Sequence, residues 1–141
     1  MTTTEKTQIT VEATVKAPVE KTWSLWTTPE HITQWNNASD DWFTPRAESE
    51  LEAGGKFLYR MEAKDGSFAF DFAGVYDEVK PNELITYTIG DGRKVKVTFT
   101  SDGADTKVAE IFEAESQNPI EMQQTGWQAI LDNFKRYAET H

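Results

Sequence analysis

The chain has 141 residues, with 14 Lys and Arg against 24 Asp and Glu, and so a formal charge of −10. A chain of this length buries roughly two-thirds of its unfolded surface, enough for a core without covalent or metal staples, and one domain is expected. Cysteine is absent, which excludes thiol catalysis, thiolate metal sites and a disulfide framework. The acidic balance repels phosphate backbones and anionic lipid surfaces, so the expected partners do not include nucleic acid. No stretch approaches the roughly 18 apolar residues of a membrane span, and no membrane insertion is expected. The opening MTTTEK lacks the basic and apolar regions of a secretory leader, and a cytoplasmic protein is expected.

Residues 1–7 are expected to form a flexible tail, and residues 8–141 the domain. From Gln8 to Lys16 the chain alternates, with Ile9, Val11, Ala13 and Val15 on one side and polar residues on the other, the pattern of a half-buried strand. Ala17-Pro18 breaks it, and Val19, Trp23 and Trp26 then recur at helical spacing behind a proline suited to a helix start. Thr28-Pro29-Glu30 repeats the signal, with a hydroxyl cap, Pro in the first turn and an acid at the positive helix end. It predicts a second short helix through Ile32 and Trp35. Asn36 to Pro45 carries turn formers and no period, and reads as an ordered loop whose Trp42 and Phe43 fold inward.

A run of strands separated by turns comes next. After Gly54-Gly55, Phe57, Tyr59 and Met61 alternate with Lys56, Arg60 and Glu62. Lys64-Asp65-Gly66 is a hairpin turn leading to Phe68, Phe70 and Phe72, and Gly74 suggests a bulge or bend before Val75 to Val79. Pro81-Asn82 turns into Ile85, Tyr87 and Ile89. Gly90-Asp91-Gly92 turns into Val95, Val97 and Phe99, and a last strand covers Thr106 to Glu115 with Val108, Ile111 and Phe112 as its large apolar residues.

The period then changes to about 3.6 residues. Asn118-Pro119-Ile120-Glu121 opens a helix, with Asn118 as cap, Pro119 first and Glu121 returning a bond to the cap. Ile120, Trp127, Ile130, Leu131, Phe134 and Tyr137 share one stripe of this helix, about 20 residues long or roughly 30 Å. A sheet with one apolar face must be covered, and this long helix is the element that can do it. The expected fold is α+β: a curved antiparallel sheet of about six or seven strands wrapped around a long C-terminal helix, with two short helices after the first strand. The concave face of such a sheet is wider than one helix, and the gap is filled by large side chains or by a ligand.

The segments Trp23-Ser24-Leu25-Trp26-Thr27, Pro29-Glu30-His31-Ile32, Gly54-Gly55-Lys56-Phe57, Phe70-Asp71-Phe72, Gly74-Val75-Tyr76 and Gly126-Trp127-Gln128-Ala129-Ile130-Leu131-Asp132-Asn133-Phe134 occur in an order that carries a resemblance. Over about residues 8–139 the chain resembles the activator of Hsp90 ATPase homologue-like family of the START/Bet v 1-like (SRPBCC) superfamily. The resemblance implies a helix-grip fold with an interior cavity. It also implies three kinds of role: binding a hydrophobic or amphipathic small molecule (lipid-like, sterol-like or polyketide-like), a co-chaperone-like interaction module with a chaperone or other protein as partner, and polyketide cyclase-like catalysis. Small-molecule binding is the preferred reading, and no cofactor is implied. Fold alone does not choose among these roles.

The aromatic set bears on the first role. Trp35, Trp42, Met61, Phe72, Tyr87 and Trp127 are candidates to line a cavity, with Gln123 and Gln124 offering polar contacts from the last helix. The alternative is that the same rings complete a filled core. His31 is the sole histidine before the C-terminal residue, yet no orienting partner is legible for it as a base. Arg60, Glu62, Asp71 and Glu110 are charged residues at strand positions, and any that faces the cavity would be desolvated with a shifted pKa. Alternation places Asp71 outward. Ser39-Asp40-Asp41 lacks the alternating oxygen ligands of a calcium loop, so neither a metal site nor a catalytic set is expected.

Overall fold

In the computed structural model the described residues are 7–141, except 38, 91 and 117. In chain order they form β1 (Gln8–Val15), α1 (Val19–Thr27), α2 (Pro29–Trp35), β2 (Trp42–Ser49), β3 (Lys56–Ala63), β4 (Ala69–Lys80), β5 (Leu84–Ile89), β6 (Lys94–Asp102), β7 (Asp105–Glu113) and α3 (Ile120–Thr140). The strands make one antiparallel sheet of seven in the order β1-β7-β6-β5-β4-β3-β2, a meander whose last strand turns back to pair with the first. The sheet curls into a half-barrel around α3, the helix-grip arrangement expected from periodicity. Among the described residues no helix is long and apolar enough to cross a membrane.

Period-2 alternation sorts the strands into two faces. Ile9, Val11 and Val15 of β1 and Val95, Val97 and Phe99 of β6 are buried on the concave side, as are Val108 and Phe112 of β7. Against them pack Leu131, Phe134 and Ala138 of α3, all fully buried. The helix also covers the edge of the sheet. Gln124 Nε2 donates to the Thr10 carbonyl at 3.4 Å, Gln128 Nε2 to the Glu12 carbonyl at 3.1 Å, and the Glu139 carboxylate accepts the Lys16 N–H at 2.9 Å.

Several details differ from the sequence reading. The segment expected as an inward-folded loop becomes β2 from Trp42, and its register shifts between Phe43 and Arg46, around Pro45. An edge strand tolerates Pro because one row of its backbone groups has no ladder partner. Phe43 faces outward and is exposed. β4 is continuous, with its irregularity between Tyr76 and Glu78 rather than at Gly74. Neither Thr28 nor Asn118 makes a side-chain cap bond. The start of α3 is held instead by Gln123, whose Oε1 accepts the Glu115 N–H at 2.9 Å while Nε2 donates to the Asn118 carbonyl at 2.8 Å. Of the expected tail, Thr7 is described, and its carbonyl accepts the Ala114 N–H at 2.8 Å; residues 1–6 and Asp91 of the expected Gly90-Asp91-Gly92 turn lie outside the described residues.

Gly74 has a packing role. A Cβ there would stand 2.5 Å from the Thr88 carbonyl oxygen and 2.8 Å from the Phe57 ring. Neither a sheet carbonyl nor a ring wedged among other rings can retreat cheaply. Gly74→Ala is expected to lower unfolding free energy by about 1–3 kcal/mol, read as a lower urea midpoint at unchanged slope.

Candidate functional site

The concave side is not filled along its whole length. Between β3, β4 and β5 on one side and α3 with the α1–α2 corner on the other lies an open cavity of about 260 Å³. Alternation of β3 brings Phe57, Tyr59 and Met61 to its wall, and that of β4 brings Phe70, Phe72 and Tyr76. β5 adds Ile85 and Tyr87, α3 adds Trp127 and Ile130, and Trp26 and Trp35 close the end near the short helices. Phe57 stands at the centre of the rings, with centroids 4.9 Å from Tyr87, 5.2 Å from Tyr76 and 5.3 Å from Tyr59. Trp127 lies flat on Phe112 at 3.8 Å and meets Phe72 edge-on at 6.2 Å.

Few polar groups reach this space. The Tyr76 hydroxyl lies 2.7 Å from Ser49 Oγ and is also bonded to Tyr59. Burial pushes the Tyr59 and Tyr87 phenols well above their ordinary range. Glu110 of β7 points into the same space. Its register partners are Val11 on β1 and Val97 on β6, so its neighbours across the sheet are apolar on both sides. Burial raises the carboxyl to about 8. The remaining charged candidates stay outside: Arg60 bridges Glu62 at 3.1 Å and Asp71 at 3.2 Å on the convex face.

The structure therefore brings Trp35, Met61, Phe72, Tyr87 and Trp127 around one cavity, and places Trp42 and Gln123 elsewhere. Trp42 packs on Phe68 and Phe70, each at 6.0 Å, one ring outside the cavity. The register break beside Pro45 turns β2 away from the alternation of its neighbours. Gln123 is spent on the loop before α3, and Gln124 on the edge of β1. His31 Nδ1 sits 2.7 Å from the Tyr137 hydroxyl, away from the cavity wall. Among the described residues no cluster of three or more His, Asp or Glu is arranged to hold a metal ion. Tyr59, Tyr76, Phe57 and Trp26 also line the cavity, and the signals that could have found them are the in-phase alternation of the first three with Met61 and Phe72 and the helical spacing of Trp26 from Trp23.

The sequence matches the family described as Activator of Hsp90 ATPase homolog 1-like protein over residues 16–139. No match was found among curated proteins. The structure is similar to that of the AHSA1-like protein from Aeromonas hydrophila, at 42% identity over 95% of this chain and 93% of that one, with a TM-score of 0.89. It is similar also to a protein from Cytophaga hutchinsonii, at 56% identity over 94% of this chain and 92% of that one, with a TM-score of 0.83. A Nitrosomonas europaea protein at 15% identity, covering 94% of each chain with a TM-score of 0.81, shares the fold. With the match spanning nearly the whole chain, and the curled sheet and gripped helix common to these structures, the protein belongs to the activator of Hsp90 ATPase homolog 1-like family.

Proposed function

We propose that the domain binds an apolar or amphipathic small molecule between its sheet and α3. The observation that carries this reading is the open cavity of about 260 Å³ walled mostly by aromatic and aliphatic side chains, with a few polar groups converging on it. Such a space, concave, apolar and sparsely polar, is what small-molecule sites share. Native mass spectrometry of freshly purified protein tests it. A retained adduct, released on denaturation, is expected for the wild type and lost in Met61→Trp, where a larger ring occupies the wall. An adduct that survives both Met61→Trp and Trp127→Ala would lie somewhere else.

A second reading, docking to a protein partner such as a chaperone, is favoured by Phe68 and Phe70, which are 59% and 39% exposed on the β3–β4 hairpin. Rings this exposed beside one another are a recognised mark of contact surfaces. Phe68→Asp discriminates the two readings, because it leaves a cavity adduct intact and removes capture of a partner.

A further inference from the structure

Glu110 stands in a position that the aromatic wall does not explain. Its side chain is 5% exposed, and it has no hydrogen-bond or ion-pair partner among the described residues. Among the described residues no buried side-chain oxygen or nitrogen is both sealed from solvent and without a hydrogen bond. The little surface Glu110 retains is therefore at its carboxyl, facing the cavity. Tyr87, on the same wall, has a hydroxyl that likewise makes no hydrogen bond to the described residues, whereas those of Tyr59 and Tyr76 are engaged.

Resting on the small-molecule reading above, we propose that the occupant carries an organic ammonium, held by the Glu110 carboxylate beside the Tyr87 hydroxyl and the rings of Trp127 and Phe72. A buried carboxyl without donors is costly, and what relieves it is a group that supplies both hydrogen-bond donors and positive charge. An ammonium does both, and ring faces attract it further through their quadrupoles. An alcohol brings one donor and no charge, and a carboxylate brings a second negative charge. The chain's −10 charge also enriches cations around it.

The groups that could compete are few. The titratable and charged side chains sharing the cavity are Tyr59 on β3, Tyr76 on β4, Tyr87 on β5 and Arg93 before β6. β1 and β6 present Val11 and Val97 beside Glu110, and α3 presents Trp127 and Ile130. Arg93 Nη1 donates to the Glu113 carbonyl at 3.3 Å, and Arg93 does not figure among the influences on Glu110, whose shift comes from burial alone. The empty site near neutral pH holds Glu110 as the neutral acid. An entering ammonium converts it to the carboxylate, and the proton passes to the buffer.

Naphthylethylamine, naphthylethanol and naphthylacetate, matched in their apolar part, are the probes. Each is titrated by calorimetry near neutral pH in two buffers of different ionisation enthalpy, with the Trp127 indole N–H followed by NMR. The amine is expected to bind about tenfold tighter than the other two, releasing close to one proton. Glu110→Gln removes both the preference and the proton release, while Glu110→Asp, which keeps the charge, retains the preference. Alcohol or acetate binding as tightly as the amine, or an amine preference that survives Glu110→Gln, overturns the proposal while leaving the cavity reading intact; a preference for acetate points to Arg93. If none of the three moves the Trp127 signal, the small-molecule reading fails and this proposal with it.

Discussion

Glu110→Gln is expected to stabilise the free protein at alkaline pH and to have little effect below about pH 4.5, where Glu110 is protonated in both states. The unfolded chain's carboxyl titrates near its ordinary 4.5, and the folded one near 8. Between those values the native state alone keeps the proton, so wild-type stability falls as pH rises through the window and levels off above it. The full linkage is worth about 3–5 kcal/mol, or on the order of 10 °C in melting temperature for a chain of this size. Other groups titrate too, but they are common to both proteins, so the difference between the two melting curves isolates Glu110. Parallel curves from acid to alkaline pH would show that the carboxyl is ordinary, and that water in the cavity solvates it fully.

The second large effect belongs to Phe134→Ala. Phe134 is fully buried and meets Trp26 and Trp35 edge-on, each at 4.8 Å, and it is where α3 grips the short helices. Trp35 Nε1 in turn donates to the Leu25 carbonyl at 3.0 Å, tying α2 to α1. Removing the ring leaves two indoles facing a void, at a cost of about 3–5 kcal/mol. Thermal unfolding followed by near-ultraviolet circular dichroism is the measurement, because the same indoles report the loss of packing. Met122→Ala, one of the more exposed apolar positions on α3, serves as the contrast and is expected to stay within about 0.5 kcal/mol of wild type. A loss at Phe134 no larger than that would mean α3 is not held by this contact.

The sheet and the helices were legible because alternation and helical spacing are local. Phe57, Tyr59 and Met61 announce β3 without reference to any partner, and Ile130 and Phe134 announce α3. β2 was not legible because Pro45 and the register break beside it interrupt the alternation that would mark a strand. It is ordered by pairing with β3, a contact between residues such as Ala47 and Tyr59 that are distant in sequence. The cavity was half legible for a similar reason. Alternation tells which face Met61, Phe72 and Tyr87 occupy, and helical spacing does so for Trp35 and Trp127, but the depth at which the helix lies over each strand is a tertiary fact. Gln123 illustrates it: helical spacing turned it inward, and the loop from Glu115 to Asn118 claimed its amide first. Glu110 carried a signal of its own, a carboxyl in phase with Val108 and Phe112 on an otherwise apolar face. Only the structure shows that no described residue answers it.

The row formed by Gln124, Gln128 and Glu139 along β1 bears on what happens when molecules meet. An unpaired strand edge is a template on which a second chain can add, and proteins blunt such edges or suffer aggregation. Here the helix spends its amides on that template at one end of the sheet, while Pro45 and the register break roughen the other. Addition of a strand at the β1 edge therefore requires α3 to lift away first. The same event opens the cavity wall at Trp127, so the cover on the strand edge and the closure of the cavity depend on one helix.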